Sequence, residues 1–141
     1  MLPIIYKRRP PVHVLFEANK VTLTDLHRDT SFEELADEPF SAPHIILAEF
    51  ELAAETLKKA VEKAEIGKRE FKHRTVIVQQ IIEPGDELTQ IEWNMLSDIP
   101  AYYLGCRNSI ALQHGRPLST EEIISETGKK HAGTWNGRFG K

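Results

Sequence analysis

The sequence predicts an α/β (α+β) fold in which helices flank one mixed sheet, and three observations carry that prediction. Two short branched-apolar runs near the start are separated by a tight polar turn. Further on, apolar residues recur at helical spacing over Leu52 to Ala64. After that, two Thr/Ser-x-x-Glu capping boxes alternate with apolar runs of strand length. Strands that come first and alternate with helices later are the signature of a sheet that begins as a meander and continues by crossovers.

The elements follow in order. Val12 to Phe16 and Val21 to Thr24 flank Glu17-Ala18-Asn19-Lys20, where Asn19 tolerates a positive φ, and together they read as a β-hairpin. Pro10-Pro11 suits the start of a first or edge strand. Phe32 to Leu35 is a short third strand. In the helix from Leu52 to Ala64, Ala53, Leu57, Ala60, Val61 and Ala64 form one apolar face and Glu51, Glu55, Lys58, Lys59, Glu62 and Lys63 the polar remainder. Gly67 to Lys72 reads as a polar link, and Thr75 to Val78 with Ile81-Ile82 as a strand buried on both faces. Glu83-Pro84-Gly85-Asp86 is a turn by composition.

Thr89-x-x-Glu92 then opens a helix with Leu88, Ile91, Met95 and Ile99 on its apolar side, which Pro100 ends or kinks. Ser109 to Gln113 is a strand and His114 to Pro117 a turn. Ser119-x-x-Glu122 opens a short helix that stops at Gly128. The order is ββ(β)αβαβα, which is that of ribonuclease H-like domains and of half an actin-type fold. Its later strand–helix–strand units require parallel pairing.

At 141 residues, with 40% hydrophobic and 28% charged side chains, the chain has the size and composition of one domain. A chain of this length buries roughly 68% of its unfolded surface and needs no staple. The lone Cys106 fits that, and with it a reducing, cytoplasmic setting. The boundaries expected are an extension over residues 1–9, a domain over 10–128 and a disordered basic tail over 129–141. The tail's four cations, removed from a net charge of −3, leave the rest near −7, which argues against nucleic acid as a partner. No run approaches the ~20 apolar residues of a membrane span, and the amino terminus lacks the pattern of a signal peptide.

Several kinds of chemistry can be sought and are not met. A two-metal nuclease needs carboxylates converging on the central strands, yet the first strand offers only Glu17 at its end and Thr75 to Val78 none. The hairpin turn has no glycine to bring backbone amides against phosphate, and no Walker-type or dinucleotide glycine pattern occurs. The histidines at 13, 27, 44, 73, 114 and 131 have no partner at metal-ligand spacing. Cys106 beside Arg107 has no positioned base, and Glu83, Asp86 and Glu87 read as a solvated turn. Catalytic, metal and cofactor residues are therefore none. The interaction candidates are Lys7, Arg8 and Arg9, which next to Ile4, Ile5 and Tyr6 offer about 1 kcal/mol per charge to an anionic membrane or an acidic partner.

One resemblance adds to this reading. Thr75-Val76-Ile77-Val78, the segment Leu88 to Leu96, Leu104-Gly105-Cys106-Arg107 and Gly115-Arg116-Pro117-Leu118-Ser119 together resemble the first half of the MreB-type bacterial actins. Ala48-Glu49-Phe50 and the helix after it are similar to that family's approach to its long helix. The glycine-bearing phosphate turn and the second half of the actin fold are missing. The resemblance thus implies a nucleotide-free relative, not an enzyme, that acts through a protein partner or self-association in cell shape or division. The alternatives are a small ribonuclease H-like hydrolase and a peripheral membrane adaptor using the amino-terminal segment.

Overall fold

The computed structural model describes residues 10–43, 45–81, 88–127 and 134–138. Its strands are β1 (Val12–Glu17), β2 (Lys20–Asp25), β3 (Thr30–Leu35), β4 (Thr75–Ile81), β5 (Asn108–His114) and β6 (Thr134–Arg138). The helices are α1 (Phe50–Ala64), α2 (Lys68–Lys72), α3 (Gln90–Ile99) and α4 (Thr120–Thr127), and a π-helix over Pro100–Leu104 extends α3. The strands form one six-stranded sheet in the order β3-β2-β1-β4-β5-β6. The first three pair antiparallel, and β1-β4-β5-β6 pair parallel, so the sheet is mixed as expected.

The hairpin closes as the sequence dictates, with Glu17 opposite Lys20 and Asn19 at φ 54°. Its central strands are buried on both faces, which is why they lack polar alternation. Val12, Val14 and Phe16 of β1 and Val76 and Val78 of β4 enter the larger core with Ala53, Leu57 and Ala60 of α1 and Leu96 and Ile99 of α3. On the opposite face Ile77, Ile110 and Leu112 meet Leu118 and Ile123 from the α4 region. On the larger-core face α1 lies across β2 and β3, and α3 lies against β4, β5 and β6.

Four expectations change. Gly67 to Lys72 is not a plain link, because Lys68–Lys72 forms a short helix that buries Phe71. The third strand begins at Thr30, two residues earlier than expected. In α3 the buried residues are Glu92, Leu96 and Ile99, while Ile91 is 65% exposed. The apolar residue loses the inward position because the carboxylate of Glu92 finds three partners there. Lastly, Thr134–Arg138, within the stretch expected to be disordered, is a strand paired with β5. An edge strand needs only a free ladder of backbone groups beside it, and the scarcity of large apolar residues did not reveal that. The rest of that tail, the turn at Glu83 to Asp86 and Gly128 lie outside the described residues.

Pro100 shows how a helix absorbs a missing amide. It cannot donate to the Leu96 carbonyl, and the chain widens into a π-helix rather than stopping. The widened turn ends at Gly105, whose φ of 70° suits a residue without a Cβ.

Burial along α1 yields a first prediction. Ala60 is fully buried, whereas Lys59 pairs with Asp37 at the surface. Ala60→Leu should cost about 1–3 kcal/mol through overpacking, and Lys59→Leu should stay within about 0.5 kcal/mol. Urea melts of both variants check it, and a larger loss for Lys59→Leu would contradict the packing.

Candidate functional site

Parallel sheets place ligands beyond the carboxyl ends of their strands, so that end comes first. Here the ends of β4 and β5 carry Gln79, Gln80 and Gln113, all buried. The amide of Gln79 is oriented by two backbone groups: its Nε2 donates to the Arg116 carbonyl at 2.6 Å, and its Oε1 accepts from the Leu118 amide at 3.1 Å. Gln113 Oε1 accepts from the Leu88 amide at 2.9 Å. Gln80 Nε2 donates to Glu92 Oε2 at 2.6 Å.

Glu92, 3% exposed, is the carboxylate nearest to a catalytic position, and its oxygens are already engaged. Oε1 accepts from the Thr89 amide at 3.1 Å and from Thr89 Oγ1 at 3.2 Å, closing the capping box that the sequence announced. Glutamine amides neither titrate nor carry charge, so they supply no general base and no strong metal ligand. What they do is tie the segments around Leu88 and Arg116–Leu118 to the sheet. Among the described residues no group of three or more His, Cys, Asp or Glu is arranged to hold a metal ion.

His13 lies on the face of the sheet shared with Gln79. Because Gln79 Oε1 already accepts from Leu118, it also accepts from His13, and the 2.9 Å contact assigns the proton to Nε2 of the ring. Burial, opposed by that hydrogen bond, pushes the His13 pKa down from 6.5 to about 4. The imidazole is neutral near pH 7.

The second location is a groove at the other end of the sheet, near the amino ends of β4 and β5. One wall is α1 with Ala54, Leu57 and Val61; the floor is Ile66 and Phe71; the other wall is Leu104 and Tyr103 of the π-helix. Its volume is about 180 Å³ and it opens to solvent, with Lys58, Glu62 and Lys68 around it. The ring of Tyr103 stands 5.5 Å from that of Phe50, and its hydroxyl donates to Glu51 at 3.2 Å, which fixes that wall. The π-helix is what turns Tyr103 and Leu104 toward α1.

A charged cluster lies beside the floor. Arg74, 2% exposed, donates to Asp25 Oδ1 at 2.7 Å, to Glu70 Oε2 at 2.9 Å and to the Pro10 and Pro11 carbonyls. Burial raises the Asp25 pKa, but the guanidiniums of Arg74 and Arg28 outweigh it and hold the carboxyl well below the usual range. The cluster is closed on itself and anchors the β2–β3 turn to α2. Cys106 is half-buried, and burial pushes its thiol up to about 11, so it stays protonated and is no nucleophile near neutral pH.

Lys7, Arg8 and Arg9, the interaction candidates of the sequence, lie outside the described residues. The groove escaped sequence reasoning because its walls come from segments about fifty residues apart. The available signal was the apolar arc of α1, where Ala54 adds to the face that holds Leu57 and Val61. Among the described residues no helix is long and apolar enough to cross a membrane. Comparison of the chain with family models, with curated proteins and with solved structures gives no match.

Proposed function

We propose that this chain is a non-enzymatic, cytoplasmic domain of actin-like or ribonuclease H-like plan that works through protein–protein contact, and that its contact surface is the groove between α1, α2 and the π-helix. The observation that carries the proposal is the groove itself, an open apolar cleft at the end of the sheet opposite the one where catalytic groups gather. At that other end, the glutamines and the engaged Glu92 support the reading without catalysis. The resemblance to MreB-type actins suggests cell shape or division as the setting, and the meander followed by parallel strands is consistent with it.

The test is photo-crosslinking in cells. A photoreactive phenylalanine analogue at Lys58, on the groove, should give a protein adduct that Val61→Asp abolishes. The same analogue at Glu33, on the open face of β3, should give none. Equal adducts at both positions, or none at Lys58, would refute the groove as the contact surface.

A further inference from the structure

The polar side chains that line the groove are Lys58, Glu62, Lys68 and Tyr103. Tyr103 is engaged, since its hydroxyl donates to Glu51. The two lysines are exposed and make no ion pair among the described residues, whereas Lys20, Lys59 and Lys63 each do. The short helix α2 repeats the pattern. Its acid, Glu70, is turned to Arg28 and Arg74, so the helix shows solvent the cations Lys68, Arg69 and Lys72 but not its carboxylate. In a chain of net charge −3, the rim of the groove is therefore locally cationic. Glu62 is the acid of that rim. It follows Lys58 by one turn, in the order that gives the weaker helix-surface pair, and no ion pair joins the two among the described residues.

The shape of the groove limits what these charges can meet. Its volume is about 180 Å³. A dry apolar cavity of ~150 Å³ accommodates a benzene ring, so the space suits one large apolar side chain. Lys58 and Lys68 belong to different helices and stay at the solvent edge. A small free carboxylate is best held by buried polar groups that converge on it, and the groove has none. Exposed cations on separate elements suit acids spaced along a chain instead. A membrane surface is also a poor fit, because the apolar side chains line a recess rather than project from the protein.

We infer that the groove takes an acidic segment of a partner protein, with one large apolar side chain in the cleft and Asp or Glu beside Lys58 and Lys68. This rests on the reading of the groove as a protein-contact surface and adds the chemistry of the partner to it. The buried anchor supplies most of the affinity, while the rim lysines steer the approach and select against basic segments. Glu62 repels an acid placed over its own turn of α1, so it fixes on which side of the anchor the acids lie.

The experiment selects a displayed library of random nonapeptides on the full chain and discards peptides that still bind Val61→Asp. The survivors should share one large apolar residue with Asp or Glu near it. Fluorescein-labelled copies, followed by anisotropy, should bind the Lys58→Glu, Lys68→Glu double variant at least about tenfold more weakly. Raising the salt to ~0.5 M should shrink that difference. Glu62→Lys should tighten binding about two- to threefold, and Lys20→Glu, at the far end of β1, should change it less than about twofold. Survivors without acids, or acidic ones indifferent to the two lysines, overturn the inference and leave the groove as a contact surface. If every selected peptide also binds Val61→Asp, both readings fall. A Lys58 photo-adduct of twice the chain's mass gives the groove to a second copy and overturns the acidic partner alone.

Discussion

Arg74→Ala should destabilise the domain by about 3–5 kcal/mol, a large share of the roughly 5–15 kcal/mol that holds a protein of this kind together. The arginine is buried, and its donors reach two carboxylates and two backbone carbonyls. Removing it leaves Asp25, itself fully buried, with only Arg28 and two turn amides, and leaves the Pro10 and Pro11 carbonyls without this donor. The loss measured is mostly the penalty on the groups left behind. Arg74→Lys should recover little, since an ammonium is a point donor and cannot span the fork of acceptors. Asp25→Leu combined with Arg74→Met should be milder than Arg74→Ala, because no charge then remains unpaired. Urea melts at pH 7 measure all three. A loss below about 1 kcal/mol for Arg74→Ala would mean that the cluster is hydrated and structurally minor.

His13 should make stability depend on pH above the range in which the carboxylates titrate. Its folded pKa is lowered to about 4 from 6.5, so the unfolded chain takes up the proton first as pH falls. The contribution is fully present above pH 6.5 and is lost progressively down to about pH 4, amounting to about 3 kcal/mol for the buried ring. Asp25 and Glu70 are shifted the same way but start from carboxylate values, so their losses come at lower pH. His13→Gln keeps a donor for Gln79 and removes the titration. Its stability should fall less steeply between pH 7 and 4 than that of the parent chain, by an amount approaching the same figure. Parallel curves would show that the ring is not held neutral.

The parts of the fold legible from sequence were those governed by local chemistry. Asn19 at its positive φ, the Thr89–Glu92 and Ser119–Glu122 capping boxes and the alanine face of α1 each depend on residues within a few positions of one another. The parts that were not legible depend on distant partners. Nothing near Arg74 in the sequence says that Asp25 and the Pro10 carbonyl will meet it, so the ion cluster was not anticipated. The same holds for Glu92, whose link to Gln80 turned α3 so that Ile91 faces outward. Periodicity locates an apolar face but does not weigh it against a buried polar pair.

The sheet order also sets a sequence of events in time. Val12 pairs with Asp25 across the hairpin, a short loop away, but with Val76 across the parallel ladder, which closes only after α1 and α2 have been placed. Hairpins form in about 1–10 μs, whereas distant parallel pairing bears the loop-closure entropy before any contact repays it. The β1–β2–β3 meander is thus the part of the chain able to form first, as it leaves the ribosome, with one side of β1 open as a template until β4 arrives. Arg74 sits one residue before β4 and reaches across to Pro10 just ahead of β1, so the ion cluster closes only when the two halves of the sheet join. Its removal should hasten unfolding much more than it slows the formation of the meander.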